Sequence, residues 1–315
     1  MDSFRSPPGY SRLRKWVVIA STAIVSVLSF YSLAYRLDGI SRYDIDEAIR
    51  TISSQNLWFC CLLTGLSFLV LGGYDVIAVS VTAPGRVSPY RAWFSGVVAN
   101  AISNTIGFHA LTATAVRYRM LRRWGLSSSE VAAVTAISWT ALVLGFAAMF
   151  LFAVILSPAA GLWHRTTGLI TLGALLLCAQ RLGTGKRISL LGYRFRLPSS
   201  KVALAQMMLG TVEMACAVGA LYVLMPESQL SSFPVFSAIY IGAVLLGIIS
   251  HAPGGLGVFE ATILTFSHGQ NLSATLAALL LYRAIYNLCP FVLAVLAFAV
   301  DEIRAAISSK AGNSV

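Results

Sequence analysis

The residues able to do chemistry in this chain stand where an apolar sequence should hold none. The run HAPGGLGVFE, His251 to Glu260, separates SAIYIGAVLLGIIS from ATILTF, and both flanks are apolar enough to lie in a membrane. Pro253 has no N–H and its ring clashes with the turn before it, so it stops the preceding helix. Gly254 and Gly255 let the backbone bend and approach a ligand closely. A second helix starting near Leu256 then presents free N–H groups, and the positive end of its dipole, to the bilayer interior. That end suits a phosphate or a carboxylate. Glu260 lies in the first turns of this helix. It either caps the helix as an N-terminal acid or pairs with a cation such as Arg283.

Other charges fall in apolar spans, where one at the bilayer centre costs roughly 2.5–3.5 kcal/mol on insertion scales. Arg283 lies in LLLYRAIYNLCP, with Tyr286 and Asn287 three and four residues on and on the same helical face. Glu213 is near the centre of its span, and Asp75 in LGGYDVIAV is towards the end of its own. Two readings stay open and are compatible: buried ion pairs that hold helices together, or a polar path for a lipid head group. Asn100, Asn104 and His109 are placed to line the cytoplasmic half of such a path, although a lone His is commonly a satisfied hydrogen-bonding residue. Arg117 and Arg119 in RYRM either capture a phosphate at the inner surface or set the topology by their charge. The candidate path is therefore Asp75, Asn104, Arg117, Arg119, Glu213, His251, Pro253, Gly254, Gly255, Glu260, Arg283 and Tyr286. No H-E-x-x-H, no G-x-S-x-G and no metal-like spacing of His, Cys and Asp occurs. No catalytic residue, metal or cofactor is expected. An intramembrane transferase with Glu260 or His251 as base would lack a nucleophile or metal set beside it.

These residues must be positioned by membrane helices. The 315-residue chain is 57% hydrophobic and 11% charged, too apolar for a soluble domain of that size. Stretches long enough to span, about 20 apolar residues, occur at 16–35, 57–81, 130–156, 161–180, 202–224 and 274–299. RLRK before the first resembles a signal peptide, but the apolar part exceeds an h-region of roughly 7–15 residues, so it reads as an uncleaved helix. The five cysteines fall within apolar spans and read as buried and inert. The net charge of +11 implies orientation rather than nucleic acid. Lys and Arg cluster at 5–15, 86–91, 117–123, 181–201 and 304–310, and the positive-inside rule puts these in the cytoplasm. Segment 93–116 is then flanked by basic clusters on both sides, and 234–266 by chargeless loops on both sides. Each must return to the side it entered from. Irregular backbone at membrane depth is tolerated only where protein or water covers it. DIDEAIRTI reads as a short amphipathic surface helix, and RISLLGYRFRLP as a small hairpin near lipid head groups.

The expected fold is all-α: a polytopic integral membrane protein with about six full transmembrane helices and two opposed re-entrant or broken helical hairpins. It forms one domain over 1–315. The first half is 16–156 with hairpin 93–116, residues 157–200 connect, and the second half is 201–300 with hairpin 234–266. Opposed broken segments in two halves point to transporters with a midplane site.

Four stretches carry a family resemblance: GGYD at 72–75, SNTIGFHALTATAVRYRMLRRWGLSSSEV at 103–131, LMPESQLSSFPVFSAIYIGAVLLGIISHAPGGLGVFEATIL at 224–264 and LLLYRAIYNLCPFVLAVL at 279–296. Together they resemble the transmembrane region of lysylphosphatidylglycerol synthase, the flippase-like half of the multiple peptide resistance factor, and its stand-alone relatives. The resemblance covers roughly 57–300. It implies a protein of the bacterial inner membrane, with both termini cytoplasmic, that moves a phospholipid between leaflets and contributes to antimicrobial peptide resistance. In bifunctional relatives the lipid is phosphatidylglycerol bearing lysine or another amino acid. The resemblance carries the family's polar positions to Asp75, Arg117, Arg119, Glu213, Glu260 and Arg283, with Glu213 where relatives often have Asp. The soluble aminoacyltransferase domain has no counterpart here, so lipid synthesis is not expected. The expected partners are a membrane phospholipid as substrate, a separate lipid synthase, and a second copy of the chain, with no nucleic acid. A non-transporting subunit that positions that synthase is the alternative reading.

Overall fold

A computed structural model describes residues 42–107, 109–158, 160–182, 187–190, 193–196, 199–227, 231–250, 252–266 and 271–312. The expected first span at 16–35 and His251 lie outside the described residues. The fold is all-α apart from one small ribbon. Helix α1 is Arg42–Thr51 and α2 is Ser54–Thr82; α3 (Pro89–Ile106) and α4 (His109–Arg123) form the first hairpin; α5 is Ser128–Leu156 and α6 Leu162–Leu182. Strands β1 (Arg187–Leu190) and β2 (Tyr193–Arg196) pair antiparallel, as the alternation around Gly192 predicts. Then come α7 (Ser200–Tyr222), α8 (Phe233–Ile249), a single tight turn over Pro253–Gly255, α9 (Val258–Phe266), α10 (Leu272–Tyr282), a π-helical segment Arg283–Leu288, and α11 (Cys289–Gly312).

Among the described residues, four helices are long and apolar enough to cross a membrane: Ser54–Thr82, Ser128–Leu156, Ser200–Tyr222 and the joined Leu272–Ala305. The expected span at 161–180 is the 21-residue α6, which is less apolar than these four. Helices α8, with 17 residues, and α9, with 9, are each shorter than the roughly 20 a crossing needs. This is a membrane protein, and its outward faces carry Leu62, Leu69, Phe150, Leu293 and Leu296 exposed, as a lipid-facing surface requires.

Serines start the long helices. Ser53, Ser88, Ser127 and Ser199 each accept a hydrogen bond from a backbone N–H of the first turn, satisfying donors that helix starts leave free. Ser127 and Glu130 complete a capping box. Between helices, small residues let backbones touch. A Cβ on Gly210 would lie 2.1 Å from the Ala141 carbonyl oxygen, and one on Gly145 would lie 2.5 Å from the Gly210 carbonyl carbon. That contact brings α5 and α7 together, since lipid supplies no hydrophobic drive for helices to associate and close packing must.

The hairpins return to their own sides. Arg86, after α2, pairs with Glu130 at the start of α5, while Arg119 and Arg123 at the end of α4 pair with Asp301 and Glu302 of α11. The α2–α3 loop, the end of α4 and the late part of α11 thus share one end of the molecule. Helix α1, just ahead of α2, packs on α10, so the starts of α2 and α10 share the opposite end. The two hairpin tips meet in between: a Cβ on Gly254 would lie 2.8 Å from the Thr105 carbonyl oxygen. Each half therefore has a long helix, a broken hairpin and a further helix, with the hairpins opposed.

The main buried cluster includes Phe68, Tyr74, Ile102, Phe146, Met214, Leu221, Tyr240, Phe259 and Tyr286, and surrounds that meeting point. A second, of Ala78, Val79, Val87, Leu121, Leu126, Val131 and Val134, joins α2, α4 and α5 at the Arg86 end. Cys60 and Cys216 are buried, whereas Cys61, Cys178 and Cys289 are exposed. The expectation of uniformly buried thiols is thus corrected: a span in lipid has an outward face, and apolar sequence alone does not say which residues lie on it.

Candidate functional site

Three helix interruptions converge at the hairpin tips. Helix α3 ends at Gly107, whose φ is 83°. Helix α8 gives way to the turn Pro253–Gly255, where Gly254 has φ 59° and Gly255 65°, values that L side chains adopt only with strain. The third interruption is the π-helical segment. Pro290 follows it, and a proline lacks its own N–H and crowds the carbonyl four residues back, here that of Tyr286. The Asn287 carbonyl accepts a hydrogen bond from Thr105 Oγ1 at 3.2 Å, so the π segment is joined to the first hairpin. The i+3/i+4 spacing assumed for Arg283, Tyr286 and Asn287 is that of an α-helix. Here the backbone is widened, yet all three residues still face one space.

That space is a cavity of about 400 Å³, with Asn104, Gly107, His109, Glu213, Gly254, Gly255, Phe259, Arg283 and Tyr286 among its lining residues. It is not sealed from the membrane side. Leu111 on α4 and Ile248 on α8 line it and are also 73% and 46% exposed, so it reaches the outer surface between the two hairpins.

Arg283 lines one wall, with Glu260 paired to it. Arg283 Nε donates to Glu260 Oε1 at 2.6 Å, and its Nη1 donates to the Gly254 carbonyl at 2.8 Å. The guanidinium lies 4.9 Å from the Phe259 ring centroid, a cation–π distance. Glu260 Oε2 accepts from the Gly257 N–H at 2.7 Å. Both alternatives raised for Glu260 thus hold together: it caps α9 and it pairs with Arg283. Arg283 clamps the elbow of the second hairpin through its backbone and through its acid.

Glu213 stands apart. It accepts from Ser67 Oγ at 3.2 Å, Tyr286 OH at 3.1 Å and Tyr74 OH at 3.4 Å. Among the described residues it makes no ion pair. The hydroxyl network extends no further than Tyr286, but ring stacking continues it: Tyr286 stacks on Tyr282 at 5.0 Å, and Tyr282 OH and Tyr240 OH share a hydrogen bond of 2.6 Å. Ser67, Tyr74, Tyr240 and Tyr282 were not singled out in the sequence. The regular spacing of Tyr282 and Tyr286 was the available signal.

Asp75 and Arg117 lie elsewhere. Arg117 Nε donates to both Asp75 oxygens, at 3.1 and 2.8 Å, and Ser138 Oγ donates to Asp75 Oδ1 at 2.6 Å. Arg117 is 1% exposed and Asp75 fully buried. The expectation that Arg117 captures phosphate at the surface is corrected: its Nε is turned inward and held by Asp75, and it does not line the cavity. Gly96 packs on Asp75, where a Cβ would lie 2.9 Å from the Asp75 Cβ. Arg119 is at the surface and paired with Glu302, remote from the cavity lining. Asn100 is buried and donates to the Gly96 carbonyl at 2.8 Å, also off the cavity. His109 does line it, sharing a 2.8 Å hydrogen bond with Ser103 Oγ and lying 6.1 Å from the Trp139 ring, a satisfied histidine. Among the described residues no group of three or more His, Cys, Asp and Glu is placed to hold a metal.

Of the candidates, the fold brings Asn104, Glu213, Gly254, Gly255, Arg283 and Tyr286 to one cavity, with Glu260 paired to Arg283 behind that wall and the Pro253 backbone in the turn that shapes it. No family model matches the chain. It is 30% identical over 311 residues to the uncharacterized protein slr0712 of Synechocystis, covering 93% of this chain and 94% of that protein. The chain belongs to the slr0712 family. It is also 26% identical over 279 residues to the inner membrane protein YbhN of Escherichia coli, covering 84% of this chain and 86% of that protein.

Proposed function

We propose that the protein is a lipid flippase of the bacterial inner membrane that moves a phospholipid head group between leaflets, with aminoacylated phosphatidylglycerol of the lysyl type as its substrate. The observation that carries this reading is the cavity at the hairpin tips, which combines a clamped arginine with an acid that has no cationic partner among the described residues. Such a site offers opposite charges to a head group that bears both a phosphate and an ammonium. Its volume of about 400 Å³ lies in the range of small-molecule sites, about 300–1,000 Å³. The opening between α4 and α8 leaves room for acyl chains to remain in lipid while the head group enters. The resemblance to the flippase-like half of lysylphosphatidylglycerol synthase supports the same reading, as does the name of YbhN for the location. On this reading the protein has no catalytic residue, and resistance to cationic peptides follows from exposing a positively charged lipid on the outer leaflet.

The test is reconstitution in liposomes with labelled aminoacyl phosphatidylglycerol, plain phosphatidylglycerol or a zwitterionic control confined to one leaflet. Selective crossing of the aminoacylated lipid, lost in folded Glu260→Gln and Arg283→Ala proteins, is the expected result. Crossing at the protein-free rate for every lipid would overturn the reading.

A further inference from the structure

Two nitrogens in the cavity wall have no acceptor among the described residues. Trp139 Nε1 and Arg283 Nη2 are buried and lack a hydrogen-bond partner among the described residues, and both side chains line the same cavity. A buried donor left unpaired carries its full desolvation penalty, so native structures keep few of them. These two come from different walls, α5 and the π segment. Arg283 is not free to swing towards a substitute. Arg283 is held at Nε by Glu260, at Nη1 by Gly254 and face-on by Phe259. Trp139 is set against the His109 ring, which Ser103 holds in turn.

Indole and guanidinium nitrogens only donate. Two donors on one cavity, one of them cationic, are the chemical complement of the paired unesterified oxygens of a phosphodiester, and charge-assisted hydrogen bonds are the stronger kind. We propose that Trp139 donates to the same phosphodiester as Arg283, making α5 a direct ligand of the substrate and Trp139 a specificity residue for its phosphate. This rests on the transport reading for the source of the phosphodiester. The shared chemistry, an oxyanion between two donors, would also accept inorganic phosphate or a soluble phosphodiester.

The test is calorimetric titration of the purified full chain in detergent with three probes: dihexanoylphosphatidylglycerol, dihexanoylglycerol, which has the same tails and no phosphate, and inorganic phosphate. Trp139→Phe keeps the ring and removes the N–H, and its thermal unfolding checks that the fold survives. One lost hydrogen bond to a charged group is expected to weaken phosphatidylglycerol about tenfold and to leave dihexanoylglycerol unchanged. Equal phosphatidylglycerol affinity in Trp139→Phe and the parent would overturn the proposal. So would equal weakening of both lipids, which is a packing effect, or binding of no phosphate-bearing probe by the parent. Trp139-dependent binding of inorganic phosphate without lipid binding would keep the oxyanion subsite and remove its lipid source. Trp139-dependent lipid binding without translocation in liposomes would keep the subsite and remove the flippase reading.

Discussion

At the residue scale, Arg117 and Arg119 do different work. Arg117 and Asp75 are both shut from solvent and joined by two hydrogen bonds. Removing one partner of such a pair leaves an uncompensated charge, at a cost of about 3–5 kcal/mol, whereas replacing both with apolar residues of similar volume is often neutral. Arg117→Met is therefore expected to lower the unfolding temperature in detergent strongly, and Asp75→Leu with Arg117→Met to recover most of the loss. If the double variant unfolds as early as the single one, the pair is not a structural unit. Arg119 sits at the surface on Glu302, and exposed pairs of this kind contribute little. Arg119→Ala is expected to leave both the unfolding temperature and the liposome transport rate unchanged; a large fall in transport would return Arg119 to the lipid path.

At the scale of elements, the elbow of the second hairpin depends on backbone that only glycine allows. Gly254 has φ 59°, and a Cβ there would meet the Thr105 carbonyl at 2.8 Å. Gly254→Ala adds a strained dihedral of order 1–3 kcal/mol and pushes the two hairpin tips apart. The expected outcome is a lower unfolding temperature and transport reduced more than in Gly85→Ala, where φ is also positive but open space surrounds the residue. Equal effects at the two glycines would mean that tip contact is irrelevant. Pro290 makes a complementary point: Pro290→Ala restores an N–H to donate to Tyr286 and is expected to favour regular α-helix over 283–288. That would turn Arg283 away from Glu260 and reduce transport without loss of helix content by circular dichroism.

At the scale of the whole molecule, the late part of α11 ties to the end of α4 through Arg123, which pairs with Asp301 and Glu302. The first hairpin is thus anchored at its base by the second half, while its tip meets the second hairpin. Helices α5 and α7 form the rigid partner, crossing at Gly145 and Gly210. Gly210→Leu cannot be absorbed there, because the nearest atoms are backbone. The expected outcome is failure to fold as a monodisperse particle in size-exclusion chromatography; a normal profile would show that the crossing tolerates separation.

The sequence alone determined the solvent and the broken segments. Long apolar runs pack as helices in lipid, and Pro253 followed by Gly254 and Gly255 marks a break between two of them. Basic flanks around 93–116 and chargeless flanks around 234–266 were enough to make each segment return to its own side. Even the Glu260–Arg283 pair was within reach, because unpaired charges in a membrane are too costly to leave alone. The tertiary structure decided which charges face each other and which face the cavity. Asp75 and Glu213 look alike in sequence, an acid in an apolar span. Asp75, packed against Gly96, meets Arg117, and Glu213 meets hydroxyls from Ser67, Tyr74 and Tyr286. That difference arises from how helices far apart in the chain rotate and cross, and hydropathy carries no record of rotation. The same is true of Trp139, an ordinary aromatic residue until the fold leaves its N–H without an acceptor among the described residues.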